Sequence, residues 1–398
     1  MSALYDSVSW LEPLLIDPIP ADLVAMADQM LALKGRLEGL YPAETADRIG
    51  QLLQLTNSFY SNLIEGQYTE PKAIEQKARI KRSAKQLTDI AASHVYVQRA
   101  LERLIDRDGG PDWGQLFSVN FLSLLHRGLF RDASLQELHI EGRDTPMVPG
   151  QLRDIPRLDV SVGRHDAPAY RIVRPMLERM QVVYGRIADS RYRLIGALAY
   201  HHRLAWVHPF PDGNGRVVRM ITHLQLLKLG LASPLWSLSR GVAREHEAYY
   251  RHLAQADQHR QGDLDGRGQL SLKALQEFVR FMLRTCIDQM TYMLQALDRD
   301  ALRARLERAV AFDERFVAAG IKPQTARALH ILITQGAVLR NDFKVYMGLG
   351  ERTAISQLKQ LVQLGVVESP SPKSRLIHPG FPVWFAQLVF PDLHRRFM

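Results

Sequence analysis

A single cysteine, Cys286, in a chain of 398 residues excludes an internal disulfide framework and fits a reducing compartment. No stretch approaches the ~20 apolar residues that a membrane-spanning helix needs. Met1 to Pro13 mixes acidic and polar residues with apolar ones and shows no signal-peptide pattern, so a cytoplasmic protein without a membrane partner is expected. The chain also lacks a Walker A lysine motif and a His-Glu-x-x-His zinc helix, and its 14 histidines form no metal-ligand pattern. Gly262-Asp263-Leu264-Asp265-Gly266 looks like part of a calcium loop, but Ala274 stands where the bidentate glutamate belongs. There is no internal repeat and no low-complexity tract. What remains is an ordinary globular composition, 46% apolar and 23% charged, long enough for two or three domains. The net charge of +9 permits an acidic or phosphate-bearing partner without identifying one.

Helical periodicity dominates. Ile49, Leu52, Leu53, Thr56, Phe59, Tyr60, Leu63 and Ile64 recur at the spacing of a buried helix face, and Gly66 supplies a stop. Similar spacing predicts helices near 86–106, 117–130, 174–187, 191–206, 216–229 and 271–296. The interval from Pro149 to Pro168 breaks this pattern. It is rich in Gly and Pro, and Leu158 to Val162 alternates apolar and polar residues, so a strand or hairpin is expected there. Such an edge can pair with an extended peptide. Residues 297–319 read as a charged helical connector. Beyond Gly320, helices near 325–334, 341–347 and 351–364 precede Gly365-Val366-Val367-Glu368, a Ser/Pro turn and Ser374-Arg375-Leu376-Ile377. That is the order of a winged helix-turn-helix.

The densest chemistry lies in His208-Pro209-Phe210-Pro211-Asp212-Gly213-Asn214-Gly215-Arg216, followed by Arg219. A glycine-rich loop entering a helix N-terminus is an anion site, because the first amides have no intrahelical partner and the helix dipole favours negative charge. Glycines at 213 and 215 let the backbone approach phosphate oxygens. Arg216 and Arg219, three residues apart, share a helix face and can grip neighbouring phosphates. Asp212 offers a hard oxygen ligand for Mg²⁺. His208 is the one group in this run whose ordinary pKa, ~6.5, suits general-base work near neutrality.

The run is similar to the Fic-domain signature His-Pro-Phe-x-x-Gly-Asn-Gly-Arg-x-x-Arg and matches it at every fixed position. His201-His202-Arg203 upstream, the flap-like Pro149 to Arg153 and Val160 to Gly163, and Ser239-Arg240 and Tyr249-Tyr250 downstream extend the likeness over roughly 45–290. The resemblance implies a mainly α fold, with a Fic-type helical core, a short β-hairpin flap and the winged helix after it. It implies transfer of AMP from ATP, with Mg²⁺, to a Ser, Thr or Tyr hydroxyl of a target protein bound at the flap around 150–163. In that scheme His208 is the base, Phe210 anchors the loop, and Asp212 holds Mg²⁺. Gly213, Asn214 and Gly215 cradle phosphates, Arg216 and Arg219 clamp the outer ones, and Tyr250 or Tyr249 lines the adenine site. Ser61-Asn62-Leu63-Ile64-Glu65-Gly66 is similar to the family's inhibitory motif. The resemblance makes Arg219 the partner of Glu65, an autoinhibitory pair that the same carboxylate could complement by assisting AMP removal.

The expected domains are 1–110 (helical, carrying the inhibitory helix), 111–296 (Fic core), 297–319 (connector) and 320–398 (winged helix). The last holds ten basic residues against four acidic ones, +6 of the chain's +9. That excess suits DNA, although the third helix nets only +1 and such modules also dock proteins or dimerise. On that helix Ile355, Leu358, Leu361 and Val362 are expected in the core. Arg352, Thr353, Ser356, Gln357, Lys359 and Gln360 are expected outside. A DNA-binding regulator whose Fic core senses nucleotide is the alternative function. Phosphate or phosphocholine transfer is a third reading, which the intact Gly213 to Arg219 set disfavours. Oligomeric state stays open, a homodimer included.

Overall fold

The computed structural model describes residues 5–79, 90–140, 146–155, 161–162, 165–232, 235–371 and 373–397. After a 3₁₀ turn at Val8–Leu11, helices α1 (Ala21–Glu38), α2 (Ala43–Ile64), α3 (Pro71–Arg79), α4 (Ile90–Asp106), α5 (Val119–Phe130) and α6 (Leu135–Leu138) form the first part. Strands β1 (Ser161–Val162) and β2 (His165–Asp166) make an antiparallel hairpin. Helices α7 (Tyr170–Gly185), α8 (Ser190–Val207), α9 (Asn214–Lys228), α10 (Leu238–Arg244), α11 (His246–Ala256) and α12 (Leu272–Ala296) complete the helical body. The expected strand at Leu158 to Val160, and Gly163, lie outside the described residues. Its last two positions are β1. The expected helix at 86–106 is described from Ile90 onward.

α8 is the centre of the body. Leu194 to Leu204 are buried without interruption, so no face reaches water and each polar side chain there needs a partner. His201 has Thr222 Oγ1 and Tyr249 OH, each at 2.8 Å. His202 has Asp257 at 3.0 Å, and Arg203 donates to Pro13 O at 2.9 Å. α2 is enclosed in the same way over its last ten residues, Leu55 to Ile64. Asp265 spends its carboxylate on Gln261 N, Ser271 and Lys273 N, which makes Gly262 to Gly266 a structural turn.

The C-terminal part contains α13 (Arg299–Phe312), α14 (Glu314–Ala318), α15 (Thr325–Gln335), β3 (Val338–Leu339), α16 (Arg340–Tyr346), α17 (Glu351–Gln363), β4 (Val367–Glu368), β5 (Leu376–Pro379) and α18 (Val383–Val389). The three strands form one antiparallel sheet in the order β3-β5-β4. On α17 the sequence reading needs a correction. Ile355 is exposed and Gln357 is buried, where its amide caps Gly320 O at 2.9 Å and its carbonyl accepts from Lys322 N at 2.8 Å. The buried stripe is Ala354, Gln357, Leu358 and Leu361, because a backbone junction claimed a polar side chain.

This part lies along α2. Thr45 Oγ1 donates to Ile333 O at 2.7 Å, Arg48 pairs with Glu368, and His378 lies 2.9 Å from Glu44. Further along, Thr56 meets His394 at 2.9 Å, and Tyr60 OH contacts Arg395 O at 2.8 Å and Leu393 O at 3.1 Å. One helix thus joins the C-terminal sheet to the centre of the body.

Candidate functional site

The signature loop connects two largely buried helices, α8 and α9, and its shape follows from local chemistry. α8 ends where His208 turns into the left-handed region at φ 50°, ψ 62°, with its N–H donating to Leu204 O at 3.1 Å. A non-glycine residue there costs about 1–2 kcal/mol, so its surroundings must hold it. Phe210 is fully buried and stacks 4.1 Å from the His126 ring. Asn214 brackets that phenylalanine: Phe210 N donates to its Oδ1 at 2.9 Å, and its Nδ2 donates to Phe210 O at 2.7 Å. The Asn214 side chain is thus committed to closing the loop. Only its backbone amide is left for an anion.

Gly213 has φ 76°, and a Cβ there would lie 2.4 Å from the Phe130 ring, so only glycine fits. α9 starts at Asn214. Its first intrahelical donor is Val217 N, reaching Gly213 O at 3.1 Å, so the amides of Asn214, Gly215 and Arg216 precede the helical ladder. Asp212 is half exposed. Its Oδ1 accepts from Gly213 N at 2.6 Å, and its Oδ2 is 3.8 Å from Arg216.

Glu65 stands at this helix start. The Arg219 side chain, 1% exposed, donates from NH2 to Glu65 Oε1 at 2.6 Å, from Nε to Ser61 Oγ at 3.0 Å and from NH2 to Ser61 O at 2.8 Å. A Cβ on Gly215 would lie 2.2 Å from Glu65 Oε1, so the carboxylate sits directly against the glycine. Burial pushes the Glu65 pKa up, but the Arg219 charge and hydrogen bond, then Arg216 and His208, hold it below the usual carboxylate range. Gly66 ends α2 at φ 75°. Gln67, which the sequence did not flag, receives Arg216 NH1 at 3.2 Å, so the end of α2 engages both arginines.

Two more supports were not legible as such. Arg153 is fully buried and donates to three main-chain carbonyls: Nε to His208 O at 2.6 Å, NH2 to Val207 O at 2.7 Å and NH1 to Pro168 O at 2.6 Å. Its own N–H reaches Pro209 O at 2.9 Å. His126 accepts from Gly150 N at Nδ1, 2.8 Å, so its Nε2 carries the proton donated to Asp212 O at 3.1 Å. Burial pushes its pKa down to about 4, which keeps the ring neutral. No short motif flags either residue, because each acts on backbone atoms far away in sequence.

His208, Gly215, Glu65 and Arg219 line one cavity of about 500 Å³, within the range of small-ligand sites. Its lining also includes the apolar side chains of Val218, Trp206, Leu253 and Tyr250, together with Asp166, Asp257 and Gln258. Tyr249 and Tyr250 both line the cavity: Tyr250 is partly exposed, and Tyr249 is buried with its hydroxyl on His201. Among the described residues, no cluster of three or more His, Cys, Asp or Glu could hold a metal by protein ligands alone.

Residues 116–226, which contain α5 to most of α9, match the Fic/DOC family. The fold is similar to that of a Fic family protein from Desulfovibrio desulfuricans G20, with a TM-score of 0.51 and 19% identity, covering 92% of this chain and 98% of that one. It is also similar to a Fic-domain-containing signaling protein from Bacteroides thetaiotaomicron VPI-5482, with a TM-score of 0.50 and 15% identity over 68% of this chain and 96% of that one. The chain therefore carries a Fic-type domain. Domains of this class commonly transfer nucleotidyl or other groups onto proteins.

Proposed function

We propose that the protein is an adenylyltransferase that moves AMP from ATP to a hydroxyl of a protein, itself included, and that the end of α2 restrains it. The supporting observation is that His208, the start of α9 and the buried Arg219 line one cavity together with Val218, Trp206, Leu253 and Tyr250, while Arg216 is buried on the same helix turn. His208 takes the proton of a Ser, Thr or Tyr hydroxyl, whose oxygen attacks the α-phosphorus of ATP. The bond from that phosphorus to the α,β-bridging oxygen breaks, and pyrophosphate leaves. The α9 amides, Arg216 and Arg219 hold the phosphates, while Val218, Leu253 and Tyr250 face the base. Mg²⁺ fits the donor set: one half-exposed carboxylate, Asp212, beside a phosphate cradle suits an ion that keeps water and phosphate oxygens in its shell. When bound it would neutralise phosphate charge.

The Glu65 carboxylate lies against Gly215 at the edge of this cradle, where it would compete with a phosphate oxygen for Arg219. It is held at the α9 N-terminus by Arg219, as a phosphate oxygen would be, and both cannot be there together. Incubation of Glu65→Gly protein with ATP labelled at the α- or the γ-phosphate tests the reading. Label is expected on protein from the α position only, and more than in wild type. Transfer of the γ label instead would contradict it.

Residues 320–398 are read as a winged helix, with α15, β3, α16, α17, β4 and β5 in its order. The outer face of α17 carries Arg352, Ser356 and Lys359 around the exposed Ile355. Salt-dependent retardation of duplex DNA by the full chain would favour the regulator alternative. Its absence leaves a protein partner.

A further inference from the structure

We infer that Arg153 is a positioning residue for the His208 base, acting through the backbone. The inference rests on the AMP-transfer reading above. His208 is one of two described non-glycine residues with positive φ, and its conformation aims its imidazole from the end of α8 into the cavity. Helix α8 leaves its last carbonyls without intrahelical donors. The Arg153 guanidinium supplies donors to two groups at that point, Val207 O and His208 O, from adjacent nitrogens of one rigid fork. Its third nitrogen takes Pro168 O at the exit of the β1–β2 hairpin, and its amide takes Pro209 O. A cation at a helix C-terminus is also favoured by the helix dipole.

One planar group therefore fixes the backbone on both sides of the His208 Cα and ties it to the hairpin expected to receive the acceptor. Arg153 does not line the cavity, whereas the phosphate cradle is held by other contacts, those of Asn214, Gly213 and His126. Loss of the fork should misplace the base and leave nucleotide binding alone.

The test uses full-length protein in the Glu65→Gly background, comparing Arg153 with Arg153→Lys and Arg153→Met. Lysine keeps the charge but cannot span two carbonyls. The expected result is a kcat for AMP transfer lower by about 10- to 100-fold, the scale of a misplacement near 1 Å. KM for ATP and the calorimetric Kd for Mg-ATP should stay within about twofold. An unchanged kcat, or a KM and Kd that rise as kcat falls, would overturn the inference. So would loss of the cooperative melt in both variants, which would make Arg153 a stability residue. If the Arg153 parent itself transfers no AMP, the functional reading fails instead.

Discussion

Arg219 carries its charge into a site where its side chain is 1% exposed, and Ser61 and Glu65 are the contacts that compensate. Removing Glu65 leaves that charge short of its counterion. The carboxylate is itself partly open to solvent, so the loss falls below the full cost of breaking a buried pair, at about 2–3 kcal/mol. Glu65→Gly should therefore melt at a lower temperature than wild type without nucleotide. Mg-ATP should raise its melting temperature more than it raises that of wild type, because phosphate replaces the missing anion. Calorimetric melts with and without Mg-ATP check this, and an equal shift in both proteins would count against the exchange of anions at Arg219. At this scale the sequence was legible where chemistry is local. His208, Gly215 and Arg219 line one cavity, and Asp212, Gly213 and Arg216 belong to the same loop and helix start. That the Asn214 side chain staples the backbone of Phe210 was not legible, because nothing in a spacing pattern separates a phosphate ligand from a loop staple.

At the scale of elements, the start of α9 and the end of α2 meet with little room. Gly215→Ala would place a Cβ 2.2 Å from Glu65 Oε1 and 3.0 Å from Arg219 NH1. The carboxylate must then move away, but the same methyl group narrows the cradle for phosphate. The expected outcome is Mg-ATP binding weakened at least tenfold without a gain in AMP transfer, the opposite of Glu65→Gly, measured by calorimetry and label transfer side by side. α2 also ends with a carboxylate, an unfavourable group at the negative end of a helix dipole, and the contact with Arg219 explains how it is tolerated. The helices α4, α5, α7, α8, α9 and α12 were legible from periodicity. α1 and α3 were not, nor was β3, whose two residues are too short for any pattern. The α17 face was misread because Gln357 is buried to satisfy backbone at Gly320 and Lys322.

Across the whole molecule, α2 links the C-terminal sheet, the segment Leu393 to Phe397 and the site. Tyr60 is central to that link, since its hydroxyl meets two carbonyls of the segment and its ring stacks 5.8 Å from Phe397. Tyr60→Phe should cost about 1–2 kcal/mol of stability, mostly for the carbonyls left without a donor. Denaturant titration reads this directly, and a change below 0.5 kcal/mol, a rough limit for an ordinary surface substitution, would contradict the packing described. A second global consequence comes from buried histidines. Burial lowers the pKa of His94 and His394 to about 3 and of His126 to about 4. In the unfolded chain each titrates near ~6.5. Above that pH both states are neutral and nothing is lost. As pH falls below it only the unfolded state gains protons, so stability should decline by up to ~1.4 kcal/mol per pH unit for each such ring. Melting temperature followed from pH 7.5 to 5 checks the sign, and a flat profile would contradict it. The central claim is that His208 performs AMP transfer and Glu65 restrains it. Intact-mass spectrometry after incubation with Mg-ATP tests both parts at once, on wild type, Glu65→Gly and Glu65→Gly with His208→Ala. The account predicts an added AMP on Glu65→Gly, little on wild type and none on the double variant. Equal modification of all three, or none on Glu65→Gly, would contradict it.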